Sequence, residues 1–169
     1  MASVLDVAAY ILAEAGPMTT MKLQKLCYYC QGYSLAWDGV PLFAEPIRAW
    51  ASGPVVHELS RHHHGHFHLQ PGSVDGDPAA LDPDQRETID AVVAAYGHLT
   101  GHQLSVKTHR EPPWLNARHR AGAPAGIRSD EEICLDELQE YFDHLAAEHA
   151  SDDSADDPAD RPADRPADQ

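Results

Sequence analysis

The stretch Lys25-Leu26-Cys27-Tyr28-Tyr29-Cys30-Gln31 contains a C-x-x-C, and its reading decides whether the chain is a redox or zinc catalyst or a packed helical scaffold. A reactive C-x-x-C places its first cysteine at a helix N-terminus, where free N–H groups stabilise thiolate. Here Thr19 or Thr20 caps a helix that runs to about Trp37 and ends at Asp38-Gly39. Cys27 therefore lies about two turns inside it, beyond the reach of that effect. Leu23, Leu26, Cys27, Cys30, Ser34 and Trp37 recur at spacings of three and four, which puts both thiols on the apolar face as small hydrophobes. A zinc site needs two more ligands, and Cys134 has no C-x-x-C mate. The pair reads as core.

Outward from this helix the pattern stays mainly helical. Ser3 caps a first helix carrying Val4, Leu5, Ala8, Ile11, Leu12 and Ala15, stopped by Gly16-Pro17. Short extended segments are expected around Leu42-Phe43 and Ile47-Trp50, and a helix starting at Pro54 would carry Val55, Val56 and Leu59. Asp82 with Gln85 opens another helix through Ile89, Val92, Val93 and Tyr96, closed by Gly97. A shorter one follows from Gly101 to Lys107. Ser129 with Glu132 forms a capping box for a last helix with Ile133, Leu138, Tyr141, Phe142 and Leu145 on one stripe. The expected fold is a compact, mainly α bundle of about five or six helices with a small extended or β-hairpin element. It occupies residues 1–150. Residues 151–169, SDDSADDPADRPADRPADQ, hold no aromatic or branched aliphatic side chain and read as a disordered acidic tail.

The formal net charge is −15. Seven Asp against Arg161 and Arg165 give the tail −5 of this, leaving −10 on the domain. Such a surface repels phosphate and anionic lipid, so direct nucleic-acid and membrane partners are disfavoured and a basic protein partner is favoured. No apolar run reaches membrane-spanning length, and MASVLDVAAYILAEAG lacks a basic start, so the expected location is the cytoplasm.

Two clusters invite a chemical reading. On an extended chain His62, His64, His66 and His68 would share a face able to hold Zn²⁺ or Ni²⁺. Gly65 interrupts that face, and the sequence places no carboxylate nearby to orient a ring; a solvated loop is the simpler reading, with no metal or cofactor expected. Thr108-His109-Arg110-Glu111-Pro112-Pro113-Trp114 could form a base, His109, oriented by Glu111 and acting on Thr108 or Ser105. No nucleophile elbow, Walker motif or G-x-G-x-x-G accompanies it. The structural alternative is a turn pinned by Pro112-Pro113, with Trp114 returning to the core and Thr108 or Glu111 capping backbone N–H groups.

Taken together, Met21 to Ala36, Pro41 to Val56, Leu104 to Trp114 and the closing amphipathic helix resemble the Panacea domain of SocA-like antitoxins and phage-associated GepA-like proteins. The first motif is Lys22, Leu23, Gln24, Lys25, Leu26, Tyr28 and Tyr29, with Gln31 just beyond. The second is Trp50, Gly53, Pro54 and Val55, and the third is Thr108, His109, Glu111, Pro113 and Trp114. Leu59 departs from the family, which often has an aromatic there. The resemblance implies an antitoxin, not an enzyme, that binds a toxin encoded next door and silences it, with proteolytic delivery to ClpXP as an alternative. A small His-dependent hydrolase or metalloenzyme is the rival class. For toxin contact, Lys22, Lys25, Tyr28 and Tyr29 are expected exposed, opposite the apolar stripe, with His109, Arg110 and Glu111 around the turn; Tyr28 or Tyr29 covering the β element is the alternative.

Overall fold

A computed structural model describes residues 2–155 of the chain, and the side chains of 2–152. The described residues form seven α-helices, a single 3₁₀ turn at Pro78–Ala80 and two short antiparallel strand pairs. Helix α1 (Val4–Ala15) opens on the Ser3 cap, where Asp6 completes a capping box. Strand β1 (Met18–Thr19) leads into α2 (Thr20–Asp38), capped by the Thr19 hydroxyl and closed by Gly39 in the left-handed region. Strands β2 (Ile47–Trp50) and β3 (Gly53–Val56) form a hairpin whose turn is Ala51-Ser52. Then come α3 (His57–His63) and β4 (His68–Leu69), which pairs with β1. Helix α4 (Pro83–Tyr96) carries the expected Asp82–Gln85 box. The remaining helices are α5 (Gly101–Thr108), α6 (Pro112–Arg120) and α7 (Leu135–Ala155).

Helix α2 is the axis of the fold. Every residue from Leu23 to Leu35 is buried, because α7, α5, α4 and the hairpin all pack on it. Gly32 makes the α7 contact possible. A Cβ there would lie 2.3 Å from the Phe142 ring, so the absent side chain lets the ring rest on the α2 backbone. Phe142 also meets Tyr28, Tyr29 and Tyr33 edge-on, at centroid distances of 5.7, 5.9 and 4.9 Å. Each such aromatic pair adds about 0.5–1.5 kcal/mol beyond its burial.

A helix buried on every side must satisfy its polar side chains internally. Gln24 and Gln31 do so by bonding backbone that has no ladder partner. Gln31 accepts from Leu42 N–H (2.7 Å) and Phe43 N–H (3.2 Å) and donates to Phe43 O (2.8 Å). That is why Leu42-Phe43, expected to be extended β structure, is a buried loop clipped to α2 instead.

Four further expectations are corrected. Residues 53–56 are strand, not the first turn of a helix; α3 starts at His57. Pro54 sits on β3, an edge strand, where a missing N–H is tolerated. Ser129 and Glu132 do not cap α7. Residues 131–133 are extended along the free side of β2, with Ala49 N–H on Glu131 O and Ile133 N–H on Ile47 O, both 2.8 Å. Pro112-Pro113 does not simply pin a turn: the prolines are the first two residues of α6, where neither needs an N–H donor. Finally, α7 continues past the expected boundary at Ser151 to Ala155; residues 156–169 of the expected tail lie outside the described residues. No helix among the described residues is long and apolar enough to cross a membrane.

Candidate functional site

The three sequence motifs converge on the β2–β3 hairpin. Its carbonyls are received one after another by side chains. Ala49 O accepts from Arg118 Nη1 (3.1 Å), Trp50 O from Trp114 Nε1 (2.8 Å) and Ala51 O from His109 Nε2 (3.0 Å). Ser52 O accepts from Ser105 Oγ (2.7 Å), Pro54 O from Lys25 Nζ (3.0 Å) and Val56 O from Gln24 Nε2 (3.2 Å). Gln24 Oε1 returns the bond to Val56 N–H at 2.9 Å. Six carbonyls within eight residues are thus held by donors from α2, α5, α6 and the α5–α6 junction. Gly53 is required at the centre: its φ is +115°, and a Cβ would lie 2.7 Å from Lys25 Cε and 3.1 Å from Thr108 Oγ1.

This geometry places the expected catalytic pair elsewhere than catalysis needs it. Both ring nitrogens of His109 face carbonyl oxygens, Ser105 O at 2.6 Å and Ala51 O at 3.0 Å. The Thr108 hydroxyl donates to Ser105 O (2.8 Å), and that of Ser105 to Ser52 O. Neither hydroxyl is bonded to the imidazole. The ring packs against Trp114, centroids 4.3 Å apart.

Glu111 does not orient His109 and does not cap α6 through its side chain. It is buried and accepts three phenol hydroxyls: Tyr28 (3.0 Å), Tyr29 (3.0 Å) and Tyr141 (3.2 Å). Burial raises its pKa above the usual carboxylate range, against the lowering effect of the Tyr29 and Tyr28 hydrogen bonds. Burial, reinforced by the Glu111 charge, pushes the Tyr28, Tyr29 and Tyr141 hydroxyls up as well. Tyr29 stacks on Tyr96 at 4.3 Å, and the Tyr96 hydroxyl meets that of Tyr33 at 2.8 Å.

Tyr28, Tyr29 and Lys25, expected on an exposed face, are therefore at most 1% exposed. Lys22 is half-buried with its ammonium on Gly97 O. Leu23, Leu26, Gln31, Val55, Thr108 and Pro113 are buried, and of the turn candidates only Arg110 is fully exposed. Trp50 is half-buried, its indole donating to Asp130 Oδ1 at 2.9 Å. Cys27 and Cys30 are in the core as their spacing indicates, and burial pushes both thiols up, away from thiolate.

The histidine run does not form one face. His62 and His63 end α3, His68 lies in β4, and His62 sits 3.6 Å from Glu58, a carboxylate one turn earlier that the sequence reading missed. Among the described residues no three His, Cys, Asp or Glu side chains group as a metal ion needs. Arg118 is the one hairpin clamp outside the stretches Met21 to Ala36, Pro41 to Val56 and Leu104 to Trp114. It is buried, donates also to Pro124 O (3.0 Å) and Ile127 O, and lies 5.4 Å from the Trp114 ring centroid. Its position four residues after Trp114 on a helix is the signal that could have found it.

Two shallow clefts flank the hairpin tip. One, of about 290 Å³, is lined by Trp50, Ala51, Ser52, Gly126, Arg128 and Ser129. The other, of about 180 Å³, lies between α2, α3 and the hairpin. Comparison with curated proteins and with solved structures finds no match. A family model described as "Antitoxin SocA-like, Panacea domain" matches residues 23–115, a span that contains the hairpin and every motif and clamp residue except Lys22 and Arg118.

Proposed function

Because the chain belongs to the SocA-like antitoxin family with the Panacea domain, we propose that it neutralises a toxin encoded next to it by binding that toxin directly. The observation that carries this reading is the clamped hairpin. Side chains that would serve chemistry if free are instead spent on fixing a surface element: His109, Ser105, Lys25 and Trp114 each hold a hairpin carbonyl. A surface held rigid before encounter loses little entropy on binding, which favours tight complexes. A standard interface covers about 800 Å² per partner, with its energy concentrated in a few aromatic or Arg anchors. Trp50 and Arg128, beside the hairpin tip, have that chemistry.

The test is co-expression. The adjacent reading frame, expressed alone, arrests growth; adding this chain restores growth, and the two proteins co-purify at fixed stoichiometry. Toxin abundance then separates two mechanisms. Occlusion leaves the toxin level unchanged, whereas delivery to ClpXP lowers it in a protease-dependent way. A hydrolase reading would instead require rescue to fail in His109→Ala while the variant still bound the toxin.

A further inference from the structure

The smaller cleft, like its larger neighbour beside Arg128, contrasts with the acidic charge of the chain as a whole. It is lined by Met21, Gln24, Lys25, Ser52, Ser60 and His63, together with Trp50, Val55 and Thr20. No Asp or Glu lines it, in a chain that carries 27 of them. At about 180 Å³ it is smaller than the roughly 300 Å³ at which small-molecule pockets begin. Its size suits one side chain.

Lys25 is the cation of this cleft, and it is 1% exposed. Its ammonium has three N–H donors, and it bonds Pro54 O at 3.0 Å. No carboxylate of the described residues pairs with it. Gln24 is engaged with the hairpin and α3, its oxygen taking Val56 N–H and its amide nitrogen meeting Val56 O and His63 Nε2. A buried cation without a counter-ion is held uphill, and burial lowers its pKa from the ordinary 10.5 to about 7. Met21, Val55 and Trp50 give the cleft an apolar wall that would strip water from an incoming ion pair and strengthen it.

We propose that this cleft is a receptor for a single carboxylate, delivered as an Asp or Glu side chain of the bound partner, which completes the hydrogen bonding of the Lys25 ammonium. A monoanion matches one ammonium in a cleft that Ser52 and Ser60 also line; a phosphate dianion would meet one cation where it needs more. The partner's identity rests on the proposed function, but the receptor does not.

The full chain with ¹³C,¹⁵N-labelled lysine is titrated with sodium formate and, at matched ionic strength, with sodium chloride. The Lys25 signal, identified by its absence in Lys25→Met, is expected to shift saturably with formate and to stay in place with chloride. No shift, or an equal shift in chloride, overturns the receptor. The source of the carboxylate is read with the co-purified toxin: Lys25→Met, checked for a cooperative melt, is expected to weaken the complex at least tenfold. Formate binding with wild-type toxin affinity in Lys25→Met overturns the partner side chain as the occupant. If instead the wild-type chain rescues growth from no neighbouring frame, the antitoxin reading fails, and the formate titration still decides the receptor.

Discussion

At the scale of single residues, the buried charges set the pH behaviour. Lys25 titrates near 7 in the folded chain and near 10.5 when unfolded. The unfolded chain therefore binds more protons between those values, and stability rises with pH across that window. Below about pH 7 the cost of the buried charge is fully present; above the unfolded value it is gone. Lys25→Met should flatten this slope, with its largest gain, on the order of a few kcal/mol, at or below neutral pH, read from urea melts between pH 6 and 10. Glu111 makes the opposite case. Glu111→Ala removes the acceptor of three phenols and should cost about 3 kcal/mol or more, because two of those hydroxyls are fully buried and left unpaired. The same residues mark the limit of sequence reading. Cys27 and Cys30 were legible as core because apolar spacing names one buried face. Lys25, Tyr28 and Tyr29 were not, because a helix enclosed on every side has no second face, and periodicity cannot report how polar side chains are satisfied there.

At the scale of elements, the caps of α1, α2 and α4 were legible, whereas the expected Ser129–Glu132 box and the long-range pairings were not. Ser3, Thr19 and Asp82 each bond the N–H three residues on, a local rule that the sequence states directly. Gly53-Pro54 was ambiguous, since proline suits both a helix start and an edge strand; its pairing with Trp50 and Ala49 across the turn decided for strand. The extension of β2 by Glu131 to Ile133, some 80 residues away in sequence, leaves no local trace. The α2–α7 crossing makes its own prediction. Gly32→Ala places a methyl in the Phe142 ring and should destabilise by about 1–3 kcal/mol. Adding Phe142→Leu should recover part of that loss, so a double-mutant cycle is expected to show favourable coupling. Additive effects would mean that the two helices do not meet there.

At the scale of the whole molecule, the charge of −15 acts before contact. Association with a basic toxin should slow by an order of magnitude or more between low salt and physiological salt, measured by stopped-flow, while dissociation changes little. The acidic field and the carboxylate-free cleft then have separate parts: the first sets encounter speed, and the second sets what is accepted on arrival. The hairpin clamp joins them, because it draws residues from α2, α5 and α6 into one rigid pole whose fixed carbonyls leave its backbone little room to adapt.

The order of synthesis gives the α2–α7 crossing a further meaning. The ribosome makes the central helix early, but the element that closes over Gly32 and Tyr28 is the last helix of the described chain. Until Phe142 emerges, a nascent chain carries the α7-facing side of α2 uncovered, and translation interrupted before Leu138 releases a polypeptide open to degradation. Pulse proteolysis of stalled chains, with and without α7, should show protection of residues 23–35 appearing only once that final helix has been completed.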